Sequence, residues 1–310
     1  MSAQLTVPVA LMFDNRPAPT RRVFEVIRRA RPATLYLIAD GPRDAADAML
    51  CEDAREIARM VDWDCDVHRN FADSNLGLRV RPSSGLDWVF SEVEKAIVLE
   101  DDCLPDPSFF DFCSALLARY EDDDRVMEIG GCNYLFGRKR HESYYFSKYT
   151  HIWGWASWRR AWNHYDVTMA QWPAMRDSGA FEPYWASRAE RRFWTRAFNA
   201  VHDGRVNTWD YQWTFAMWCA RALSIVPPVN LVSNIGFGVD ATNTKDMSPI
   251  AAMPTEALGT LRHPETIQRD DASDRIEWMT AFYEPPSQRA MRWLRRRAGL
   301  MLPRAQGNGT

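Results

Sequence analysis

Lys95-Ala-Ile-Val-Leu-Glu-Asp-Asp-Cys-Leu-Pro-Asp-Pro-Ser-Phe109 decides the reading of this chain, because a short apolar run stops in three adjacent carboxylates, Glu100, Asp101 and Asp102. The run from Ala96 to Leu99 has the character of a buried strand, so the charges arrive at a sheet edge. Like charges side by side are costly there unless a cation or a set of hydrogen-bond donors answers them. A hard divalent ion, held by one or two carboxylates and sharing its remaining positions with phosphate, meets that need. The competing reading is a solvated acidic turn ahead of the helix opened at Pro107.

Upstream of this stretch, strand-like and helix-like segments alternate. Val7 to Phe13 is an apolar run, and Thr20 to Ala30 then places Val23, Ile27 and Ala30 on one helical face with arginines opposite. Thr34 to Ala39 is a second strand, ending at Asp40-Gly41-Pro42. Asp44 to Val61 reads as a helix carrying Ala46, Met49, Leu50, Ile57 and Val61 inward, followed by a short strand near Cys65 to His68 and a helix over Pro82 to Glu94. Such alternation predicts an α/β fold with a mainly parallel sheet flanked by helices. Ligands of such sheets sit outside the carboxyl ends of the strands. Asn15-Arg16, Asp40-Gly41 and the Glu100 triplet all fall at those ends.

Beyond Pro107 the pattern changes. A helix over Ser108 to Tyr120 and a strand at Val126 to Ile129 precede an aromatic stretch through Tyr144, Tyr145, Phe146 and Tyr149 to Trp153-Gly-Trp-Ala-Ser-Trp158. The expected organisation is a nucleotide-binding half over 1–125, an acceptor-binding and catalytic half over 126–248, and a tail over 249–310. Within the tail, Pro249 to Asp274 reads as a long mobile loop. From Ser287 to Arg304 there are six arginines and no acidic residue, with Met291, Leu294, Ala298 and Met301 at helical spacing. A basic amphipathic helix of this kind either lies on an anionic membrane surface or packs its apolar face on the domain.

Composition narrows the classes. The 310 residues carry 38 basic and 41 acidic side chains, a formal net charge of -3, so no general attraction to nucleic acid follows. Fourteen tryptophans suit either sugar-ring contacts or a large core. The six cysteines form no CxxC pair, which argues against a zinc site and for reduced, buried thiols. The first residues lack a charged region followed by an apolar core, and no segment has the apolar length to span a bilayer. The expected location is the cytoplasm, with peripheral contact at the inner face of the membrane through the basic helix as one alternative.

The order of these segments resembles the GT-A nucleotide-sugar glycosyltransferases, and among them the N-acetylglucosaminyltransferases that initiate complex N-glycans and related bacterial enzymes. The resemblance covers Val7 to Thr244. It rests on Asp14-Asn15-Arg16, Ala39-Asp40-Gly41, Val98 to Phe110, Ile152-Trp-Gly-Trp155, Thr208-Trp-Asp-Tyr-Gln-Trp213 and Ile235-Gly-Phe-Gly238 in shared order. It implies a GT-A-like fold with an acceptor-side extension and a UDP-sugar donor. It also implies a divalent metal, Mn²⁺ or Mg²⁺, and a glycan or glycolipid acceptor, as in bacterial polysaccharide biosynthesis. Carried over position by position, it makes Asp102 the metal ligand and sets Glu100 and Asp101 at the ribose or base. It also places Arg16 near the nucleotide and Asp40 at the uracil edge.

The residues themselves allow more than one role. Arg16, ahead of Pro17, either meets the nucleotide or braces a loop, and Asp-Gly-Pro is also an ordinary turn sequence. Asp210 is the candidate base of an inverting displacement, or a helix N-cap. Arg79 and Arg81 either face the diphosphate or pair at the surface. Trp153, Trp155 and Trp209 around Gly154 suit an acceptor platform, with the glycine permitting close approach. Where related bacterial sequences lead one to expect a histidine as a second metal ligand, this chain has Asn243, whose amide oxygen binds Mn²⁺ less tightly than imidazole. The rivals are a sugar-phosphate nucleotidyltransferase, disfavoured by the absence of a glycine-rich loop after the first strand, and a non-catalytic carbohydrate-binding or assembly protein.

Overall fold

The computed structural model describes residues 4–138, 140–236 and 250–283. The chain opens with β1 (Val9–Phe13), α1 (Pro17–Ala30), β2 (Thr34–Ala39), α2 (Ala45–Ala58), β3 (Asp66–Phe71), α3 (Gly77–Glu92) and β4 (Lys95–Glu100). It continues through β5 (Cys103–Pro105), α4 (Ser108–Arg119), β6 (Val126–Gly130), β7 (Tyr145–Ser147), β8 (Trp155–Trp158), α5 (Arg159–Trp162) and α6 (Trp172–Asp177). It ends with α7 (Arg188–His202), α8 (Asp210–Cys219), β9 (Leu223–Val226), β10 (Val232–Asn234) and α9 (Asp271–Glu277), the last running into a π-helical turn, Trp278–Phe282.

The main sheet has the order β3-β2-β1-β4-β8-β6-β9-β7. Its first four strands are parallel, each return crossing through a helix. β8 then enters antiparallel between β4 and β6, β9 runs parallel to β6, and β7 closes the edge antiparallel to β9. The parallel half matches the alternation in the sequence, and the mixed half comes from the aromatic stretch. A separate antiparallel pair joins β5 to β10.

Alternate residues of the strands feed opposite cores. Val9, Leu11 and Phe13 pack with α1, α2 and α4, whereas Ala10 and Met12 pack with α3, α8 and the tryptophans Trp155, Trp162, Trp209 and Trp213. A third, almost wholly aromatic core joins α6, α7, α8 and the π-helical turn. The buried Glu128 knits this region together, accepting from His151 N at 2.7 Å, Trp213 Nε1 at 2.6 Å and Ser224 Oγ at 2.7 Å.

Two expectations need correction. In α2 the inward residues are Asp47, Cys51, Ala54, Ile57 and Ala58, while Met49 and Leu50 are exposed. The Asp44 carboxylate caps the helix through Asp47 N, which fixes its rotation a step away from the expected face. The stretch read as a mobile loop is pinned and ends in helix. Glu256 N donates to Asn230 O, Leu258 N to Ser108 Oγ and Arg262 N to Ser143 Oγ, and Asp271 already opens α9. The basic segment from Ser287 and Asn243 lie outside the described residues.

Candidate active site

The carboxyl ends of β1, β2 and β4 share one edge of the parallel half-sheet, so Arg16, Asp40 and the Glu100 triplet are neighbours by topology. Pro17 starts α1, where its missing N–H costs nothing, and the Arg16 carbonyl accepts from Thr20 N and Thr20 Oγ1. With its backbone so held, Arg16 extends its guanidinium to the acidic edge. Nε lies 3.1 Å from Asp101 Oδ2, Nη2 pairs with Asp101 Oδ1, and Nη1 lies 2.9 Å from Asp102 Oδ2. The fork engages both carboxylates, which a lysine point charge would not reproduce.

Burial governs the electrostatics of the triplet. Glu100 Oε1 is buried with no hydrogen-bond partner, and desolvation, reinforced by Asp102 and Asp101, pushes this carboxyl well above the usual range. Burial pushes Asp101 up to about 6 even though Arg16 opposes the rise. Asp102 is covered from the far side by the β10 exit. Ile235 N donates to Asp102 O at 2.8 Å, and a Cβ on Gly236 would sit 2.1 Å from Asp102 Oδ2. Gly236, the last described residue before 250, therefore lies against Asp102.

Asp210 begins α8, a favourable place for a negative charge against the helix dipole. Trp209 occupies the N-cap and Asp210 the first helical position, where its carboxylate also meets the backbone N–H groups of Asp210 and Tyr211, so a part in holding the helix start stands beside the candidate base role. Thr208 Oγ1 donates to Asp210 Oδ1. Burial raises the Asp210 carboxyl, with that hydrogen bond opposing, and its charge reaches Glu100 and adds to the upward push there. The tryptophans set this approach. Trp155 of β8 is in register with Val98 of β4 and stacks on Trp209, ring centroids 5.9 Å apart, immediately before Asp210.

Several expected site residues do other work. The Asp40 carboxylate accepts from Gly41 N, Leu76 N, Gly77 N and Asn75 Nδ2 at 2.8–3.1 Å. Three of these four bonds anchor the start of α3 and the fourth closes the Asp40-Gly41 turn, which leaves no acceptor position for a base edge. Arg79 donates to the carbonyls of Val167 and Val201, tying α3 to the helical lobe, and Arg81 is buried against Asn70. Neither reaches the acidic edge. Trp155 and Trp209 are core, so they offer no platform, and only Trp153 is half-buried. Gly154, at φ +69°, is required because a Cβ would lie 2.7 Å from Val232 Cγ2, which is a packing demand. Thr208 and Gly236 stand in the motifs Thr208–Trp213 and Ile235–Gly238, but the sequence assigns them no role of their own. A threonine two residues before a candidate base was the available signal for Thr208.

The fit of a metal can be judged from these donors. Among the described residues no group of three or more His, Cys, Asp or Glu side chains is placed to hold an ion. Among the described residues, Asp102 has one oxygen on Arg16 and the other accepting only from the Cys103 thiol, 3.5 Å away, and Glu100 Oε1 has no partner. This set fits an ion held by one or two carboxylates and completed by phosphate oxygens, rather than a cage made by the protein alone.

Topology and site define an α/β protein with a buried anionic cluster at the carboxyl edge of the parallel half of its sheet. No family model matches the sequence, and no curated protein matches it. Solved structures that align include a UDP-glucose pyrophosphorylase complexed with UDP-glucose, 9% identical, covering 71% of this chain and 90% of that one at a TM-score of 0.37. Mouse xyloside xylosyltransferase 1 aligns at 12% identity over 68% and 81% with a TM-score of 0.31. A cytidylyltransferase from Leptospira borgpetersenii aligns at 11% identity over 51% of this chain, TM-score 0.32, and this chain spans 63% of its length. The geometry above, not these alignments, carries the fold and the site.

Proposed function

We propose that the chain transfers a sugar from a nucleoside diphosphate donor, a UDP-sugar, to a hydroxyl of a glycan or glycolipid acceptor, with inversion at the anomeric carbon. The observation that carries this reading is the fork of Arg16 on Asp101 and Asp102 beside Glu100, with the charge of the half-buried Asp210 felt at Glu100. The departing diphosphate gains negative charge, and Arg16 offers it a planar, permanently charged fork. Asp210 takes the proton of the attacking acceptor hydroxyl. Its raised pKa makes it a stronger base than an exposed aspartate while Thr208 holds its orientation. A divalent ion, when bound, supplies Lewis-acid stabilisation of the leaving diphosphate, and Asp102, with Glu100 beside it, is the side chain to hold it.

The test is titration of UDP, with and without Mn²⁺, into the wild type and Asp102→Ala, followed by calorimetry. Metal-dependent binding that disappears in the variant is the expected result, and donor-sugar hydrolysis is then the assay for turnover. If UDP, GDP and dTDP all fail to bind under every metal condition, the transferase reading falls. Pyrophosphate release from UTP and a sugar 1-phosphate would assign the site to nucleotidyl transfer instead. Sugar binding indifferent to nucleotide and metal would assign the fold to a binding protein.

A further inference from the structure

α7 is amphipathic in an unusually one-sided way. Trp194, Phe198 and Val201 face the aromatic core, and its one acid, Glu190, is fully buried on Lys148 Nζ at 2.5 Å. Every charge it shows to solvent is therefore positive. Arg191, Arg192, Thr195, Arg196 and Asn199 recur at helical spacing on the outer face, and Arg205 follows the turn at Gly204, with Arg205 N donating to Ala200 O. These six residues line an open concavity of about 370 Å³. Arg191 and Arg205 have exposed partners, Glu182 and Asp203. Arg188, Arg192 and Arg196 have no carboxylate partner among the described residues, and all three are exposed.

The described chain also ends here. Phe282 packs its ring 5.8 Å from Phe193 and 5.2 Å from Trp194, both on α7. Beyond the described residues, the sequence between Ser287 and Arg304 adds six arginines and no acid. The arginine face of α7 thus stands on a molecule whose formal net charge is -3.

We infer that the arginine face of α7 is a docking surface for an anionic lipid bilayer, with lipid phosphate oxygens seated in the concavity between Arg192 and Arg196. Guanidinium forks match phosphate bidentately, and a row of them along one helix matches a surface that repeats the same group. A single-stranded nucleic acid would also want aromatic faces for its bases, and the aromatics of α7 are turned into the core. No described helix is long and apolar enough to cross a membrane, so the contact is peripheral and electrostatic. It is independent of the chemistry at Asp102 and Asp210.

The experiment is co-sedimentation of the full chain with vesicles of phosphatidylcholine alone and of phosphatidylcholine with one third phosphatidylglycerol. The comparison is between the wild type and the double variant Arg192→Gln, Arg196→Gln. The wild type should bind only the anionic vesicles and be released by high salt, and the double variant should bind about thirtyfold more weakly, from the loss of two basic contacts. The variant should melt with the wild type, since neither arginine has a partner to lose. Undiminished binding by the variant would overturn the inference, as would equal binding to neutral vesicles or none at all. Displacement by millimolar inorganic phosphate would reassign the concavity to a soluble phosphorylated ligand, and preferential binding of a 20-nucleotide RNA would reassign it to nucleic acid; either outcome overturns membrane docking.

Discussion

At the end of β4, three carboxylates share a partly buried edge with one guanidinium, and a fourth carboxylate, Asp210 of α8, adds its charge at Glu100. The imbalance is what gives the residues their chemistry. Arg16 answers Asp101 and Asp102 directly, leaving Glu100 Oε1 without a partner among the described residues and Asp210 held by the Thr208 hydroxyl and the backbone at the start of α8. For Asp210 the consequence can be measured. In the proposed transfer, Asp210→Asn should lower kcat by about a hundred- to ten-thousandfold and leave UDP affinity unchanged. Because burial raises the Asp210 pKa, the carboxyl is protonated and idle at acid pH, and wild-type kcat/KM should climb with pH through a value above the ordinary aspartate range. A variant retaining most of its kcat would remove Asp210 as the base. Arg16, the triplet and Asp210 were all visible in the sequence as residue types at strand and helix ends. Their pairing was not, because a side chain 85 residues away from its partner is brought to it only by the sheet.

Among the elements, α9 shows how the chain end is fastened to the sheet. Asp274 Oδ1 accepts from Ser147 Oγ of β7 at 2.7 Å, and Glu277 Oε1 lies 3.0 Å from His151 Nε2 without the alignment of a hydrogen bond. Burial pushes Asp274 up to about 7. For His151 burial favours the neutral ring, but Glu277 outweighs it and the pKa rises above its ordinary value. Both groups therefore bind protons more tightly folded than unfolded. Their contribution is complete below their unfolded pKa values and fades as pH rises, for Asp274 between about 4 and 7 and for His151 from about 6.5 upward. The thermal midpoint should accordingly fall from pH 5.5 to 8.5, and Asp274→Asn, which keeps an acceptor for Ser147, should flatten the part below pH 7. An unchanged slope in that variant would clear Asp274 of the effect. The residues of this fastening looked like loop in the sequence, because the prolines and charges of 249–270 mask the short amphipathic pattern that begins at Asp271.

Across the whole molecule, the eight-stranded sheet runs through both of the halves expected within one unit from the sequence. β8, from the second half, pairs with β4 at the end of the first, so a break at 125/126 would strip Ala96, Ile97 and Val98 of their β8 partners and leave β4 a bare edge beside β1. A fragment of residues 1–125 should be insoluble or lack cooperative unfolding by circular dichroism, and a fragment that melted cooperatively would show that the parallel half stands alone. The alternation of strand and helix through Glu100 and the delivery of carboxylates to a sheet edge belong to the sequence, since local periodicity and the run of charge suffice to state them. What only the tertiary structure decided is which groups meet. It committed Asp40 to the α3 backbone, sent Arg79 and Arg81 elsewhere, buried Trp155 and Trp209 as the packing beneath Asp210, and closed Arg16 onto Asp101 and Asp102. Those outcomes depend on register, on helix rotation and on competition for hydrogen-bond acceptors between segments distant in the chain, and no local pattern encodes them.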